Sequence, residues 1–364
     1  MREVNAISLN QFHNSFIDTP HLTGTSATRH WPGPYCHELV YVVSLMSRKN
    51  GRDQEGMRTM AEPGLTLVTG AGGGVGGVGG KVVALLRQRG RAVRAMAHHD
   101  DDRADALRAL GADIVVGDLT RPADVATALD SVQRMFFSMS LAPSYLEATA
   151  TVATVARAVG DLDALVAISQ MTVSQMDALS MSESHHQRLH WLSEQVLNWS
   201  GLPVVHVRPT VFLDSPLFTT LAASSIADSG TIRLPFGAGR TSPITTDDVA
   251  QVVATILTDP GQYIGRVFEL TGPRSQDMNG VAEEYARALG RPVTYVDVPW
   301  ETWAEQVLSR AKLGPYVDEH IATMARLHRE NRYDRMTGTV EEITGRPAES
   351  VEEFIARQSD LFAE

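Results

Sequence analysis

The chain has 364 residues, 43% of them hydrophobic, so it can bury a large core as one α/β unit or as a nucleotide-binding domain with a smaller lobe. Its formal net charge of -11, without any basic block, argues against nucleic-acid binding. No apolar run is long enough to span a bilayer, and the single cysteine, Cys36, permits no internal disulfide, which suits a reducing compartment. We therefore expect a globular, cytoplasmic protein with neither membrane nor nucleic-acid partners.

Residues 1–62 show no sustained hydrophobic period, and they contain neither a secretory signal nor a helical targeting sequence. We interpret them as a poorly ordered N-terminal extension. An upstream start of translation is the alternative, because Met57 and Met60 stand where the regular pattern begins.

Residues 65–80, LTLVTGAGGGVGGVGG, combine an apolar run with a glycine cluster, and an amphipathic helical pattern follows them. This order predicts strand, turn and helix, and glycines in the turn let the backbone approach a phosphate at the positive end of the helix dipole. The residues alone leave several registers of the glycine fingerprint open: Gly70, Gly73 and Gly76; Gly73, Gly76 and Gly79; or Gly72, Gly74 and Gly77. A flexible linker is the alternative, but a linker is not flanked by a strand and a regular helix.

From Leu65 onward, strands and helices alternate at the spacing of βαβ units. We expect strands from Leu65, Ala92, Asp113, Val132, Ala164 and Pro203, with helices near 81–89, 103–110, 122–129, 144–159 and 185–199. Beyond Val211 we expect helices at 216–227, 247–258, 276–289, 300–310, 315–330 and 350–358, and short strands at Ile232, Val267 and Val293. The predicted fold class is α/β: a Rossmann-type doubly wound parallel sheet over 63–212, interleaved with a smaller C-terminal α+β substrate lobe over 213–364.

Five sequence motifs point to a known family: TGAGGGVG at 69–76, VGDL at 116–119, SGLPVVHVRPTVF at 200–212, SPITTDDVAQVV at 242–253 and GRVFELTGP at 265–273. In these motifs and their order the chain resembles the atypical short-chain dehydrogenases/reductases. Within that group it resembles the NmrA-like and NAD(P)H-dependent quinone or azo reductase branch. The resemblance implies a dinucleotide cofactor and selects Gly70, Gly73 and Gly76 for the pyrophosphate turn. It also implies an insertion, residues 77–80, that lengthens the turn before the first helix.

The same resemblance implies that Asp118 and Leu119 lie beside the adenine and that Ser138 belongs to the cofactor contacts. For Asp118 a turn or helix-capping role is the alternative. Whether the cofactor is NAD or NADP depends on the residues after the second expected strand, HHDDD at 98–102. Relatives that prefer NADP tend to carry arginine in place of His98. Histidine can donate to a phosphate, but the acids oppose a second anion, so NADP is favoured only slightly over NAD.

Classical members of this superfamily use Tyr-x-x-x-Lys for proton transfer. That pair is absent, because none of the lysines, Lys49, Lys81 and Lys312, follows a tyrosine at this spacing. The resemblance puts His190 at the lysine position and His186 at the tyrosine position, on one helix face. His190 is thus a candidate catalytic residue, as a ribose contact or as a proton donor near neutral pH, with a solvated helix surface as the alternative.

Ser169 follows the fifth expected strand, where relatives have a serine that faces the nicotinamide, and it is the second candidate catalytic residue. An apolar substrate pocket is expected from Met139, Gln170, Met171 and Met176, together with Phe136 and Phe137, although such residues also fill cores. We expect no metal site, since His185, His186 and His190 have no supporting HExxH word or nearby cysteine.

Together these features predict an NAD(P)H-dependent oxidoreductase that passes hydride to a small aromatic or quinonoid acceptor, as a monomer or homodimer. The alternative is an NmrA-like redox sensor that binds NAD(P) without turnover. Epimerase chemistry is disfavoured, because it relies on the absent tyrosine.

Overall fold

The computed structural model describes residues 64–73, 77–159 and 162–362. The expected N-terminal extension and Gly76 lie outside these residues. The strands are β1 (Leu65–Val68), β2 (Val93–Ala97), β3 (Asp113–Val116), β4 (Val132–Phe137), β5 (Ala164–Ile168), β6 (Val204–Pro209), β7 (Thr231–Leu234), β8 (Val267–Leu270) and β9 (Thr294–Asp297). A seven-stranded sheet has the order β3-β2-β1-β4-β5-β6-β8, and β7 pairs with β9 in a two-stranded sheet. Every named strand pair is parallel, which confirms the expected α/β class.

The helices between the strands follow the expected pattern closely. They are α1 (Val78–Gln88), α2 (Asp102–Ala109), α3 (Pro122–Ala128), α4 (Tyr145–Val159), α5 (His185–Trp199), α6 (Thr220–Ser229), α7 (Thr246–Thr258), α8 (Met278–Leu289), α9 (Trp300–Trp303), α10 (Ser309–Ala311), α11 (Pro315–Arg329), α12 (Thr339–Thr344) and α13 (Val351–Arg357). A π-helical turn, Ala304–Leu308, connects α9 to α10, and a 3-10 helix, Met171–Gln175, follows β5. Sequence reasoning missed α12 and this 3-10 helix, because both are shorter than the windows in which periodicity is informative.

Two apolar layers hold the helices against the main sheet. On one side, Val82 and Leu86 of α1 pack with Val253 of α7. On the other, Val152 of α4 and Leu197 of α5 form a separate cluster with the strands. Because helices cover both faces, the strands can be apolar along their whole length, as β5 is in the sequence ALVAI.

The C-terminal part has its own core, centred on Phe218, Phe236, Tyr285, Trp303 and Phe354. Strand β8, from this part of the chain, pairs with β6 in the main sheet. The boundaries at 62/63 and 212/213 stay predictions. Among the described residues no helix has the length and apolar character required to cross a membrane.

The strand order reverses direction beside β1, since the chain moves outward to β2 and β3 and then returns to β4. In open α/β sheets such a switch point leaves a crevice at the carboxyl ends of the strands, and ligands bind there.

Candidate functional site

The turn after β1 contains glycines with left-handed backbone conformations. Gly70 has φ of 66° and Gly73 has φ of 76°, where other residues are strained. A Cβ at Gly70 would lie 2.7 Å from the Ser138 carbonyl oxygen, whereas a Cβ at Gly73 would meet nothing within 4 Å. Gly73 therefore leaves backbone open toward the crevice, as a phosphate cradle requires.

Helix α1 begins at Val78, so Gly79 and Gly80 lie inside the helix and not in a lengthened turn, which corrects the expected insertion at 77–80. A Cβ at Gly79 would lie 2.7 Å from the Gly70 carbonyl oxygen, closer than a real Cβ can approach. Gly79 thus permits the close contact between helix and strand that the third glycine provides in Rossmann turns. Sequence reasoning gave that place to Gly76, which lies outside the described residues, so that assignment stays a prediction. Gly79 belonged to one of the registers that the residues left open.

The crevice continues as a first cleft, with a volume of about 590 Å³, along the ends of β1, β2 and β3. Its lining includes predicted cofactor contacts, namely Gly70, Gly73, His98, Asp118 and Leu119, and also Met139. His99, from the segment at 98–102 on which the cofactor choice was expected to depend, lines it as well. Sequence reasoning missed Arg103, in the first turn of α2, because its spacing from the glycine turn gave no signal.

Asp118 stabilises the turn after β3, which was the alternative to a cofactor contact. It also lines the first cleft. Its Oδ1 accepts hydrogen bonds of 2.8 Å from the backbone N–H and from the hydroxyl of Thr120. These hydrogen bonds lower the pKa of the Asp118 carboxyl, so it is a fixed anion in the cleft. Asp101 caps α2, and its carboxylate pairs with Arg103.

A second cleft, of about 680 Å³, adjoins the first and shares Gly70, Met139 and Ser140 with it. Its lining includes the predicted residues Ser138, Ser169, Gln170, Met171, His186 and His190. Residues from the C-terminal part, which the sequence did not suggest, form much of the rest, including Trp303, Leu308, Leu313, Ile321 and Met324.

Three members of the predicted pocket wall lie elsewhere. Phe136 and Phe137 are buried in the two opposite cores of the main sheet, because consecutive strand residues point to opposite faces. Met176 follows the 3-10 helix after β5 and lines neither cleft.

Buried hydroxyl groups without a hydrogen-bond partner lie in the second cleft. They are the Oγ of Ser169, the Oγ1 of Thr210 and the Oγ of Ser215, each unpaired among the described residues. A buried unpaired hydroxyl costs roughly 1–3 kcal/mol, so a protein rarely keeps one that serves nothing. These groups are available to a polar atom of a ligand.

His190 and His186 form a hydrogen-bonded pair in the second cleft, with 3.0 Å between their Nε2 atoms. The Nδ1 of His186 lies 2.9 Å from the hydroxyl of Tyr316, and that hydroxyl donates to the carbonyl of Ala142. Because the tyrosine proton is used there, His186 donates through Nδ1 and accepts at Nε2, and His190 donates through Nε2. The network therefore fixes both tautomers and leaves Nδ1 of His190 without a proton.

The solvated helix surface, the alternative interpretation of these histidines, does not fit the structure. His190 is 7% exposed and His186 is 5% exposed. Burial lowers the pKa of His190 to about 3 and that of His186 to about 2. At neutral pH both rings are therefore uncharged, which argues against His190 as a proton donor near neutral pH and leaves the expected ribose contact as a prediction.

A third histidine, His320 of α11, lies beside this pair, with 5.1 Å between its ring centroid and that of His186. Its Nδ1 is 2.9 Å from the Ser184 hydroxyl. Within the described ranges no group of His, Cys, Asp and Glu has an arrangement that would hold a metal ion.

A parallel sheet with a switch point, a glycine turn after its first strand and a cleft along the neighbouring strand ends defines a Rossmann-type dinucleotide-binding protein. The sequence profile of the NmrA-like family matches residues 63–357, and the chain belongs to that family.

Two enzymes are similar to this chain over nearly their whole length. The NAD(P)H azoreductase of Xenophilus azovorans is 30% identical over 296 residues, which cover 80% of this chain and 97% of the azoreductase. The (4-alkanoyl-5-oxo-2,5-dihydrofuran-3-yl)methyl phosphate reductase of Streptomyces griseus is 29% identical over 299 residues, which cover 82% of this chain and 99% of that enzyme.

Among solved structures, the NADPH-dependent quinone oxidoreductase of Escherichia coli in complex with NADPH superimposes with a TM-score of 0.69 at 20% identity. The match covers 81% of this chain and 99% of the oxidoreductase, and it supports the fold.

Proposed function

We propose that this protein is an NAD(P)H-dependent oxidoreductase that reduces a small aromatic or quinonoid acceptor. The observation that carries the proposal is the junction of the two clefts at Gly70, Met139 and Ser140. A dinucleotide held along the first cleft would bring its reactive end to the apolar second cleft, where an acceptor has room. The similarity to an azoreductase over almost its full length supports the same assignment.

The residues present fit such a cofactor. Gly73 leaves backbone open at the glycine turn, and the unpaired Ser169 hydroxyl offers a hydrogen bond at the far end. Gly70 and Gly73 would hold the pyrophosphate, Asp118 and Leu119 the adenine, and Ser138 and Ser169 the nicotinamide end. A bound NAD(P)H would supply the hydride.

The second cleft binds and orients an acceptor but offers no strong acid. His186 and His190 are uncharged at neutral pH, and no Asp, Glu, Lys or Cys lines the described part of the cleft. The buried hydroxyl of Tyr145 already donates to the carbonyl of Ile168, and burial raises its pKa. The chemistry therefore suits acceptors that take hydride first and receive their proton from water.

We infer that Arg103 tilts the preference toward NADP. It lines the first cleft with His98 and His99, and a 2′-phosphate would add nearly two negative charges there. The Asp101 carboxylate pairs with Arg103 and offsets part of its charge, so the effect is moderate.

Arg103→Ala should raise the Kd for NADPH about 10-fold and leave the Kd for NADH unchanged, because one charge-assisted hydrogen bond to phosphate is lost. Fluorescence titration with both cofactors measures the ratio. Arg108→Ala is the matched control, since Arg108 is on the same helix, pairs with Asp100 and Asp105, and lies outside the cleft. Equal weakening of both cofactors by Arg103→Ala would contradict a phosphate contact.

Ser169→Ala should lower kcat/KM about 10- to 100-fold, because its hydroxyl no longer positions the reacting groups. The free energy of unfolding of the protein without ligand should stay the same or rise, since the variant removes a buried, unpaired hydroxyl. Steady-state kinetics and urea unfolding measure the two effects.

Ser242→Ala is the control for this variant. Ser242 also carries a buried, unpaired hydroxyl, but it lines neither cleft, so its replacement should leave turnover unchanged. Full activity of Ser169→Ala would show that the unpaired hydroxyl takes no part in the reaction.

The experiment that tests the function itself is steady-state oxidation of NADPH and of NADH with a panel of quinones and azo dyes. Turnover that depends on the acceptor supports the oxidoreductase. Tight binding of cofactor without turnover on any acceptor would favour the alternative, an NmrA-like redox sensor, which the missing Tyr-x-x-x-Lys pair would then explain.

A further inference from the structure

The second cleft is a large chamber whose described lining contains no charged side chain. Its wall is made of Leu, Ile, Val, Met, Phe, Trp, Pro and small residues, with hydroxyl, amide and imidazole groups as its polar elements. Among the described residues, the titratable groups that line it are His186, His190, His320 and Tyr333. The histidines are uncharged because burial lowers their pKa values.

Charged side chains on the neighbouring elements, including Lys312 and Asp318, are not part of the described lining of the chamber. Arg332 binds Gln175 and pairs with Glu183, and Arg335 pairs with Glu269. Glu319 accepts from the backbone N–H of His185, at the start of α5. None of these side chains lines the second cleft.

The chamber offers unpaired hydroxyls to an acceptor. Thr210 and Ser215 each have a buried hydroxyl oxygen without a partner among the described residues and are not assigned to the cofactor, so each can donate to a carbonyl oxygen. The unpaired Ser169 hydroxyl would serve the nicotinamide end of the cofactor. Hydroxyl donors without a cation suit ketone or quinone oxygens set in an apolar body. They do not suit a phosphate or sulfonate, which would lose its hydration and gain no counter-charge.

We propose that the second cleft selects uncharged acceptors that carry carbonyl oxygens on an apolar body and rejects acceptors that carry a phosphate or sulfonate. This selection rests on the proposed function and makes it narrower. The acceptor gains a hydride from the reduced cofactor and a proton from water, so a quinone leaves as its hydroquinone and the cofactor leaves oxidised. The chain thereby differs from its Streptomyces relative, whose name specifies a phosphate ester.

The test compares 2-methyl-1,4-naphthoquinone with 1,4-naphthoquinone-2-sulfonate, which share a ring system and differ in charge. With the reduced cofactor that the protein prefers, kcat/KM for the uncharged quinone should exceed that for the sulfonate at least 100-fold. Calorimetry on the protein saturated with oxidised cofactor measures the binding of both quinones independently of turnover.

The outcomes separate the two claims. If the uncharged quinone binds and the sulfonate does not, the selection is supported. This holds even if no turnover follows and the proposed oxidoreductase function fails. Equal or tighter binding of the sulfonate, or failure of the uncharged quinone to bind, overturns the selection, and turnover of other acceptors would still leave the oxidoreductase function standing.

A charge placed at the chamber should relax the selection. Leu313 lines the second cleft and is 48% exposed, so Leu313→Arg can keep its guanidinium partly hydrated. This variant should raise kcat/KM for the sulfonate at least 10-fold. Leu179→Arg is the matched control, because Leu179 is 86% exposed and lies outside both clefts, and it should change neither quinone. A Leu313→Arg variant that melts like the unmodified protein and still rejects the sulfonate would contradict charge as the cause.

Discussion

Gly73→Val should raise the Kd for the dinucleotide at least 100-fold while the protein stays folded. Gly73 has a positive φ and lines the first cleft, and a Cβ there would point into open space and not into the protein. A branched side chain would fill the space that the pyrophosphate needs. The backbone strain should cost about 1–2 kcal/mol of unfolding free energy. Calorimetric titration and urea unfolding measure the two effects separately.

Gly90→Val is the matched control for this variant. Gly90 also has a positive φ and nothing within 4 Å of its Cβ position, but it lies at the exposed end of α1 and outside both clefts. It should show the same loss of stability with unchanged cofactor binding. If Gly73→Val binds cofactor as the unmodified protein does, the pyrophosphate is held elsewhere.

Gly79→Ala should act differently, through the fold. Its Cβ would collide with the backbone of Gly70, so α1 must move away from β1. Overpacking of this kind costs typically about 1–3 kcal/mol, which should appear in urea unfolding before any ligand is added. The contrast between a variant that blocks the cleft and one that displaces the helix distinguishes the roles of the two glycines.

The difference between the expected and observed glycine turn illustrates where sequence reasoning stops. The strand, the glycines and the helix were all predicted, because each leaves a local pattern. The residue at which α1 begins was not, because it depends on how closely the helix can approach β1, and that distance is set by packing. Gly79 could be assigned only after the contact with Gly70 was known.

The same limit applies to the histidines. The sequence HHQRLH resembles a polar surface, and its spacing places His186 and His190 on one face without saying what covers that face. In the structure this face is covered by Tyr316 and His320 of α11. Tyr316 lies 130 residues after His186 in the chain. Contacts between distant segments leave no periodic signal. For the same reason the wall of the second cleft formed by 303–324 was missed.

One local rule would have excluded Phe136 and Phe137 from the expected pocket wall. Phe136 and Phe137 are neighbours in a strand, so their side chains must point to opposite faces of the sheet. They therefore pack in different cores, and they do not form one pocket wall. Met139, two residues beyond β4, has left the sheet and lines both clefts.

Acid should destabilise this protein well before its carboxylates are neutralised. Burial lowers the pKa of His190 to about 3, of His186 to about 2, and of His320 and His328 to about 4, below the usual value for the unfolded chain. Below about pH 6.5 the unfolded state therefore binds more protons than the folded state. The stability that these neutral rings contribute is complete above that pH and is lost as the pH falls toward 4.

The expected slope is about 1.4 kcal/mol per pH unit for each histidine that stays neutral in the fold, so the loss between pH 7.5 and 5.5 should be on the order of 5 kcal/mol. Urea unfolding at pH 7.5, 6.5 and 5.5 measures it. His320→Gln should reduce the slope by about 1.4 kcal/mol per pH unit, which corresponds to one proton, whatever its effect on stability at pH 7.5. An unaltered slope in His320→Gln would mean that this ring already carries a proton in the folded state. The second cleft would then contain a cation beside His186, and anionic acceptors should bind to it more tightly as the pH falls.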